Sequence, residues 1–324
     1  MTAEREARRR ASWRVYRLQL ALGGAGLCAC AVVLVAGVRS VHVQPAGAHR
    51  LDVGGLRLTY PAVNAAAVVL LALAVLGAAV LVVTLRAAWR QVRGHRRMLR
   101  ALPIARSLPD YPPVLVLDLA VPLAFCAGWL RPRVYVSRGV LDRLSDRELR
   151  AVLAHEHQHG ELRDPLRLAV SHVLCQALFF LPVLRSLHAS YADAAELTAD
   201  AAALEALHGA TGPLASAMLA LGQTDAGAVT GISPERVDAL LGQPIARRLP
   251  RVLLIAGLVT LAALVALVWR ASASASLQAT LNLPIASSQP CILVLALVPL
   301  LACLAATILR RPARPAAQPL PAGA

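Results

Sequence analysis

The chain has 324 residues, 57% of them hydrophobic and only 4% aromatic, with a mean hydropathy of +0.60. A soluble globular domain is about 45–50% apolar, so the composition argues against a wholly water-borne protein and places part of the chain in lipid. The net charge is +15 and all 33 basic residues are arginines; they cluster beside apolar runs, and no helix-turn-helix or zinc-finger spacing occurs, so nucleic acid is excluded as a partner.

The first predicted element is an apolar run at Leu18–Val38, preceded by Arg5, Arg8, Arg9, Arg10, Arg14 and Arg17. It is too long for the about 7–15 apolar residues of a secretory signal and is read as a membrane helix. A weakly charged loop, Arg39–Tyr60, leads to a second run at Pro61–Leu85. Arg86, Arg90, Arg93, Arg96, Arg97 and Arg100 follow on a basic segment that stays helical at least as far as Arg100. Val114–Leu119 and Arg133–Ser137 alternate, are rich in Val and Tyr and are bounded by Pro and Gly, which predicts short strands; "LAFCAG" between them reads as a third.

A helix is expected from Ser145, where Ser145-Asp-Arg-Glu148 forms a capping box, to His159, with Gly160 as its stop. Asp164-Pro165 opens the next helix as N-cap and first residue, a sufficient reason for Asp164 without chemistry. Leu166–Leu187 is apolar but carries His172, Gln176 and Pro182. Spanning the bilayer there would strand arginines on the wrong side, so it is read as a helix packed in the protein or dipping into the membrane. "YADAAELTADAAALEAL" is a further helix. Val252–Trp269, preceded by Arg247, Arg248 and Arg251, and Cys291–Leu309, followed by Arg310, Arg311 and Arg314, are the third and fourth membrane runs. A Pro/Ala-rich tail, residues 310–324, reads as disordered. The arginine bias puts both termini and the segment from about Arg86 to Arg251 in the cytoplasm. The expected architecture is mostly α: helix pairs at 1–85 and 252–309 around a cytoplasmic α+β domain at 86–251. The six cysteines, Cys28, Cys30, Cys126, Cys175, Cys291 and Cys303, are read as small buried hydrophobes without a disulfide framework.

The chemistry concentrates in His155-Glu156-His157-Gln158-His159. Helix residues four apart share a face, so His155 and His159 can offer imidazole nitrogens to one ion. Glu156 lies about 100° further round and can reach a water at that ion. His157 points about 200° from His155 and is a surface position. Glu196 and Asp200, on the later helix, again share a face. Glu196 can complete a His2Glu site, and Asp200 can accept the second ring N–H of a ligating histidine. The alternatives are a polar helix surface and solvated acids on an alanine-rich helix.

These residues resemble the gluzincin membrane metallopeptidases. "GWLRPRVYVSRGVLDRLSDRELRAVLAHEHQHGELRDPLR" is similar to the core of the BlaR/MecR-type antirepressor peptidases (metallopeptidase family fifty-six), and HtpX- and Ste24-type proteases share the zinc logic. "SPERVDALLG", Ser233–Gly242, is similar to the arginine-bearing segment that closes their soluble domain. The resemblance implies a zincin-like domain with one zinc ion per chain at His155, His159 and Glu196, Glu156 as general base and Asp200 behind the ligands. It also implies a substrate strand added to a sheet edge near Leu123–Gly128. His208, Tyr191 and nearby arginines are candidate oxyanion donors. The sensor domain that the antirepressor family carries after its last helix has no counterpart in the Pro/Ala tail, so antibiotic sensing by this chain alone is not expected. The resulting expectation is a multi-pass cell-membrane zinc endopeptidase acting at the cytoplasmic face on membrane or membrane-proximal proteins. Regulatory proteolysis, with a repressor-type regulator as partner, leads. Quality control of HtpX type and a non-catalytic signalling component are the alternatives.

Overall fold

The structure, a computed structural model, describes residues 3–39, 49–53, 56–60, 65–108, 114–222, 236, 238 and 251–278. In chain order the described elements are α1 (Ala3–Arg39), β1 (His49–Val53), β2 (Leu56–Tyr60), α2 (Ala65–Ala101), β3 (Ile104–Ser107), β4 (Val114–Leu117), β5 (Ala124–Ala127), β6 (Arg133–Ser137), α3 (Arg138–Arg143), α4 (Asp146–Leu162), α5 (Asp164–Ala177), α6 (Pro182–Ala206), α7 (Thr211–Gly222) and α8 (Arg251–Gln278). The protein is mostly helical, as expected. Among the described residues three helices are long and apolar enough to cross a membrane: Arg5–Ala36, Val68–Ala101 and Arg251–Ala271. The fourth expected run, Cys291–Leu309, the tail 310–324 and most of Ser233–Gly242 lie outside the described residues.

Two compact units divide the chain. One holds residues 35–73 and 268–324, and its described sheet is the antiparallel pair β1–β2, with Val53 opposite Leu56. This pair lies within the expected Arg39–Tyr60 loop, where Gly54-Gly55 between alternating residues is a two-residue hairpin signal.

The other unit holds residues 1–34 and 74–267. Its four-stranded sheet has the order β3-β4-β6-β5. β4 and β6 run parallel, with Val114 opposite Val134, while β5 pairs antiparallel to β6 and β3 antiparallel to β4. The three expected strands are present; β3, four exposed residues without alternation, was not foreseen. β5 ends in a turn where Gly128 adopts φ +110, and a Cβ there would lie 2.5 Å from the Arg131 carbonyl oxygen, so only glycine fits. Val114, Val116, Val134, Val136 and Val140 pack with Leu153 of α4, fixing that helix on the sheet. Truncating Leu153 to Ala at such a site costs about 2–5 kcal/mol.

The apolar stretch after α4 is not one helix. It breaks at Leu178–Leu181 and restarts with Pro182 in the first turn of α6, because proline has no N–H to continue the preceding ladder. Leu178, Leu181, Leu184 and Leu187 are buried against Leu22 and Cys30 of α1, Val80 of α2 and Leu261 of α8. The stretch is thus packed in the protein. Cys30 and Cys175 are buried, but Cys28 is exposed on α1, contrary to the reading of all six cysteines as buried.

α1 and α2 each run 37 residues, about 55 Å. A hydrocarbon core is about 30 Å thick, so the arginine-rich first turns of α1 continue as helix beyond the apolar run. There Arg5 donates through Nε to Gln158 of α4 at 3.1 Å and through Nη1 to Glu205 of α6 at 3.1 Å.

Candidate metal centre

α4 starts as its sequence dictates. The Ser145 backbone N–H donates to Glu148 Oε2 at 2.8 Å, and the Ser145 hydroxyl accepts from the Glu148 N–H. It does not stop at Gly160. It runs to Leu162 and closes on Arg163 in the left-handed region (φ 53), which also precedes α5. Asp164 is consequently not an N-cap. Its carboxylate is 1% exposed and already occupied, as described below.

α4 and α6 lie side by side and bring three expected ligands together. His155 Nε2 and His159 Nε2 are 3.2 Å apart. Glu196 places Oε2 3.5 Å from His155 Nε2 and Oε1 3.5 Å from His159 Nε2. His155, His159 and Glu196 form the one group of potential ligands among the described residues.

The other ring nitrogen of each histidine faces a buried carboxylate. His159 Nδ1 is 2.9 Å from Asp164 Oδ2, and Asp164 Oδ1 accepts from the Tyr191 hydroxyl at 2.6 Å. His155 Nδ1 is 3.0 Å from Asp200 Oδ1, a charge contact not aligned as a hydrogen bond. Asp164 accepts the His159 Nδ1 proton and the charge of Asp200 stands beside His155 Nδ1, so the two Nε2 atoms converge on one point, together with a carboxylate oxygen. Such a convergence is repulsive unless a cation or a shared proton occupies it. Tetrahedral ligands about 2.0–2.1 Å from zinc lie about 3.3–3.4 Å apart, and separations of 3.2 to 3.5 Å fit that set.

The electrostatics agree. Burial pushes the His155 imidazole down, but Asp200, Glu196 and Glu156 outweigh it and hold it well above its ordinary value. Burial pushes Glu196 and Asp200 up, and His155, with Arg236, more than reverses this, leaving both at about 2. Arg236 belongs to the arginine-bearing segment Ser233–Gly242 but is not singled out by the sequence. Its Nε and Nη2 grip Asp200 at 2.8 and 2.7 Å, and its Nη1 lies 2.9 Å from Glu196 Oε2. The available signal was only its place in the arginine-bearing segment.

Glu156 is half-buried one position beyond His155. Its charge reaches both His155 and Cys126 of β5; burial first, then Glu156 and Asp164, push that thiol up to about 12. His157 is half-buried, away from the ligand group. The two suggested oxyanion donors are not at the site in that capacity. Tyr191 is fully buried with its hydroxyl committed to Asp164. His208 is exposed beyond the end of α6, 12 residues from Glu196 and so about 18 Å along the helix.

The family model described as BlaR1 peptidase M56 matches residues 44–230, more than half of the chain. Two curated relatives share the central part. "Protease HtpX homolog 2" of Methanosarcina mazei is 37% identical over 89 residues, 27% of this chain and 30% of that protein. "Protease HtpX homolog" of Ralstonia pickettii is 39% identical over 85 residues, 25% of this chain and 29% of that protein. The chain thus spans less than a third of the length of these relatives. No solved structure matches.

Proposed function

Because the chain belongs to the BlaR1 peptidase M56 family, we propose that it is a membrane metalloprotease that hydrolyses peptide bonds of membrane or membrane-proximal proteins at one zinc ion held by His155, His159 and Glu196. The convergence of those three side chains beside Glu156 carries this reading. When bound, zinc supplies Lewis acidity, lowering the pKa of a water towards about 7 and polarising the scissile carbonyl. Glu156 accepts the proton of the attacking water and returns it to the leaving amine. Asp164 holds His159 in the tautomer that leaves its Nε2 free to ligate, and the negative charge of Asp200 beside Nδ1 favours the same tautomer of His155. Arg236 keeps Glu196 and Asp200 ionised and adds a positive charge beside the reacting carbonyl.

β5 is an edge strand that packs against α4. Its outer edge, unpaired among the described residues, offers a substrate a strand to align with. The arginine flanks favour a cytoplasmic active site and termini, with residues 86–251 as the peptidase domain. Regulatory cleavage of a repressor-type protein is the leading role. The relatives' names favour a second reading, an HtpX-type protease of membrane-protein quality control; a small winged-helix repressor encoded beside this chain supports the first, and its absence the second. The decisive experiment is Glu156→Gln. The variant should keep its zinc and lose proteolysis, and unchanged cleavage would overturn the assignment.

A further inference from the structure

A second polar site lies away from the three ligands. A cavity of about 580 Å³ is walled by Val83 of α2 and by α5 and α6, with Val83 and Phe179 as apolar wall and His172, Gln176, Arg185 and His188 as polar lining. Its hydrogen bonds have a fixed sense. The buried Gln19 of α1 donates through Nε2 to the Leu184 carbonyl at 3.2 Å, so its Oε1 accepts from the Ser171 hydroxyl at 2.7 Å. That uses the one proton of Ser171, whose oxygen therefore accepts from His188 Nδ1 at 2.6 Å. On the opposite side Arg90 donates to Gln176 Oε1 at 3.3 Å. Gln176 Nε2 then donates to His172 Nε2 at 2.6 Å, which leaves His172 with a proton on Nδ1 to give.

Among the described residues no ion pair to an acid is made by the polar groups of this lining. Residues 65–101 and 165–192 contain no Asp or Glu, and Arg185 makes no ion pair among the described residues. Burial and the neighbouring His172 hold His188 below its ordinary value, as expected where positive charge is already in excess. Val83 stands one turn before Arg86, where the apolar run of α2 gives way to arginines. The cavity is therefore at the level of the lipid headgroups, and Phe179, 51% exposed, opens its apolar wall outward.

We propose that this cavity binds the headgroup phosphate of an anionic phospholipid, with Arg185 as its ion partner, His172 as donor and the start of an acyl chain against Val83 and Phe179. Free phosphate shares the charge chemistry but has no use for the apolar wall.

The test uses the full chain in detergent, titrated with dioleoylphosphatidylglycerol and followed by native mass spectrometry. Inorganic phosphate is added as competitor, and dioleoylphosphatidylcholine serves as the neutral lipid. Wild type and the charge-matched control Arg147→Glu, on exposed α4 surface, should bind phosphatidylglycerol about tenfold more tightly than Arg185→Glu, the loss expected for one charge-assisted hydrogen bond. Arg185→Gln should lose affinity in the same direction and serves if the charge reversal does not fold. Phosphatidylcholine should bind more weakly than phosphatidylglycerol. Equal binding by Arg185→Gln and wild type, or an equal loss in Arg147→Glu and Arg185→Glu, overturns the site. Displacement of the lipid by inorganic phosphate overturns the lipid in favour of a free anion.

Discussion

Asp164 is the residue at which local and tertiary demands diverge. Its place before a proline is the signature of a helix cap, yet the side chain turns inward to His159 and Tyr191. Sequence spacing exposed Glu196 and Asp200, because both lie on one helix face four residues apart. It did not expose Asp164, because a carboxylate five residues beyond His159 reaches the ring only where the chain kinks at Arg163. Asp164→Asn is expected to lower zinc affinity about 10- to 100-fold, the usual cost of losing a carboxylate behind a ligating histidine. Tyr191→Phe should cost less, since it removes one hydrogen bond and keeps the ring packing. Competition with a chromophoric chelator measures both. Arg236 was illegible for a related reason: an isolated arginine in sequence says nothing about which acids it will meet.

At the scale of elements, α4 and the three central strands were legible because local signals agreed. A capping box, an apolar stripe and Val-rich alternation all pointed to the structure that formed. The length of α2 was legible too, its basic flank being expected to stay helical as far as Arg100, but that of α1 was not, because its arginine-rich flank read as a membrane edge while its backbone simply continues as helix. α1 is the consequential case, for its Arg5 bonds Gln158, which sits inside the histidine cluster of α4. It also bonds Glu205 and Glu161. Further along α1, Tyr16 lies 5.1 Å ring to ring from Tyr191, and Arg167 sits 4.4 Å over Trp13. Arg5→Ala should destabilise the fold by about 1–2 kcal/mol, discounted for its partial exposure. It should lower turnover while zinc content stays at one per chain; thermal melting, peptidase assay and metal analysis test the three parts.

At the scale of the molecule, the acids and the ion hold α4 and α6 together jointly. Without metal, His155 is raised to about 10 on folding, from about 6.5 in an unfolded chain. A group raised on folding stabilises fully below its unfolded value and loses that contribution as pH climbs through the folded one. The chelator-stripped protein should therefore melt at progressively lower temperature from pH about 6.5 towards 10. Glu196 and Asp200, held at about 2, stay ionised throughout that window and do not offset the loss. With zinc bound, Nε2 of His155 carries the metal in place of its titrating proton, so the profile should be flatter across the lower part of that range, which scanning calorimetry at several pH values resolves.

α1 is also one unbroken rod of about 55 Å, gripped near its first residues by the peptidase and anchored along its apolar length by lipid. Bilayers differ in thickness, and a long helix answers a thinner one by leaning. A lean of 10° about its midpoint sweeps the end of such a rod through roughly 5 Å, more than the length of any hydrogen bond that holds Arg5. Turnover should therefore vary with bilayer thickness, which peptidase assays in vesicles of short- and long-chain lipids measure; equal rates in both would show that the Arg5 contacts hold through the lean.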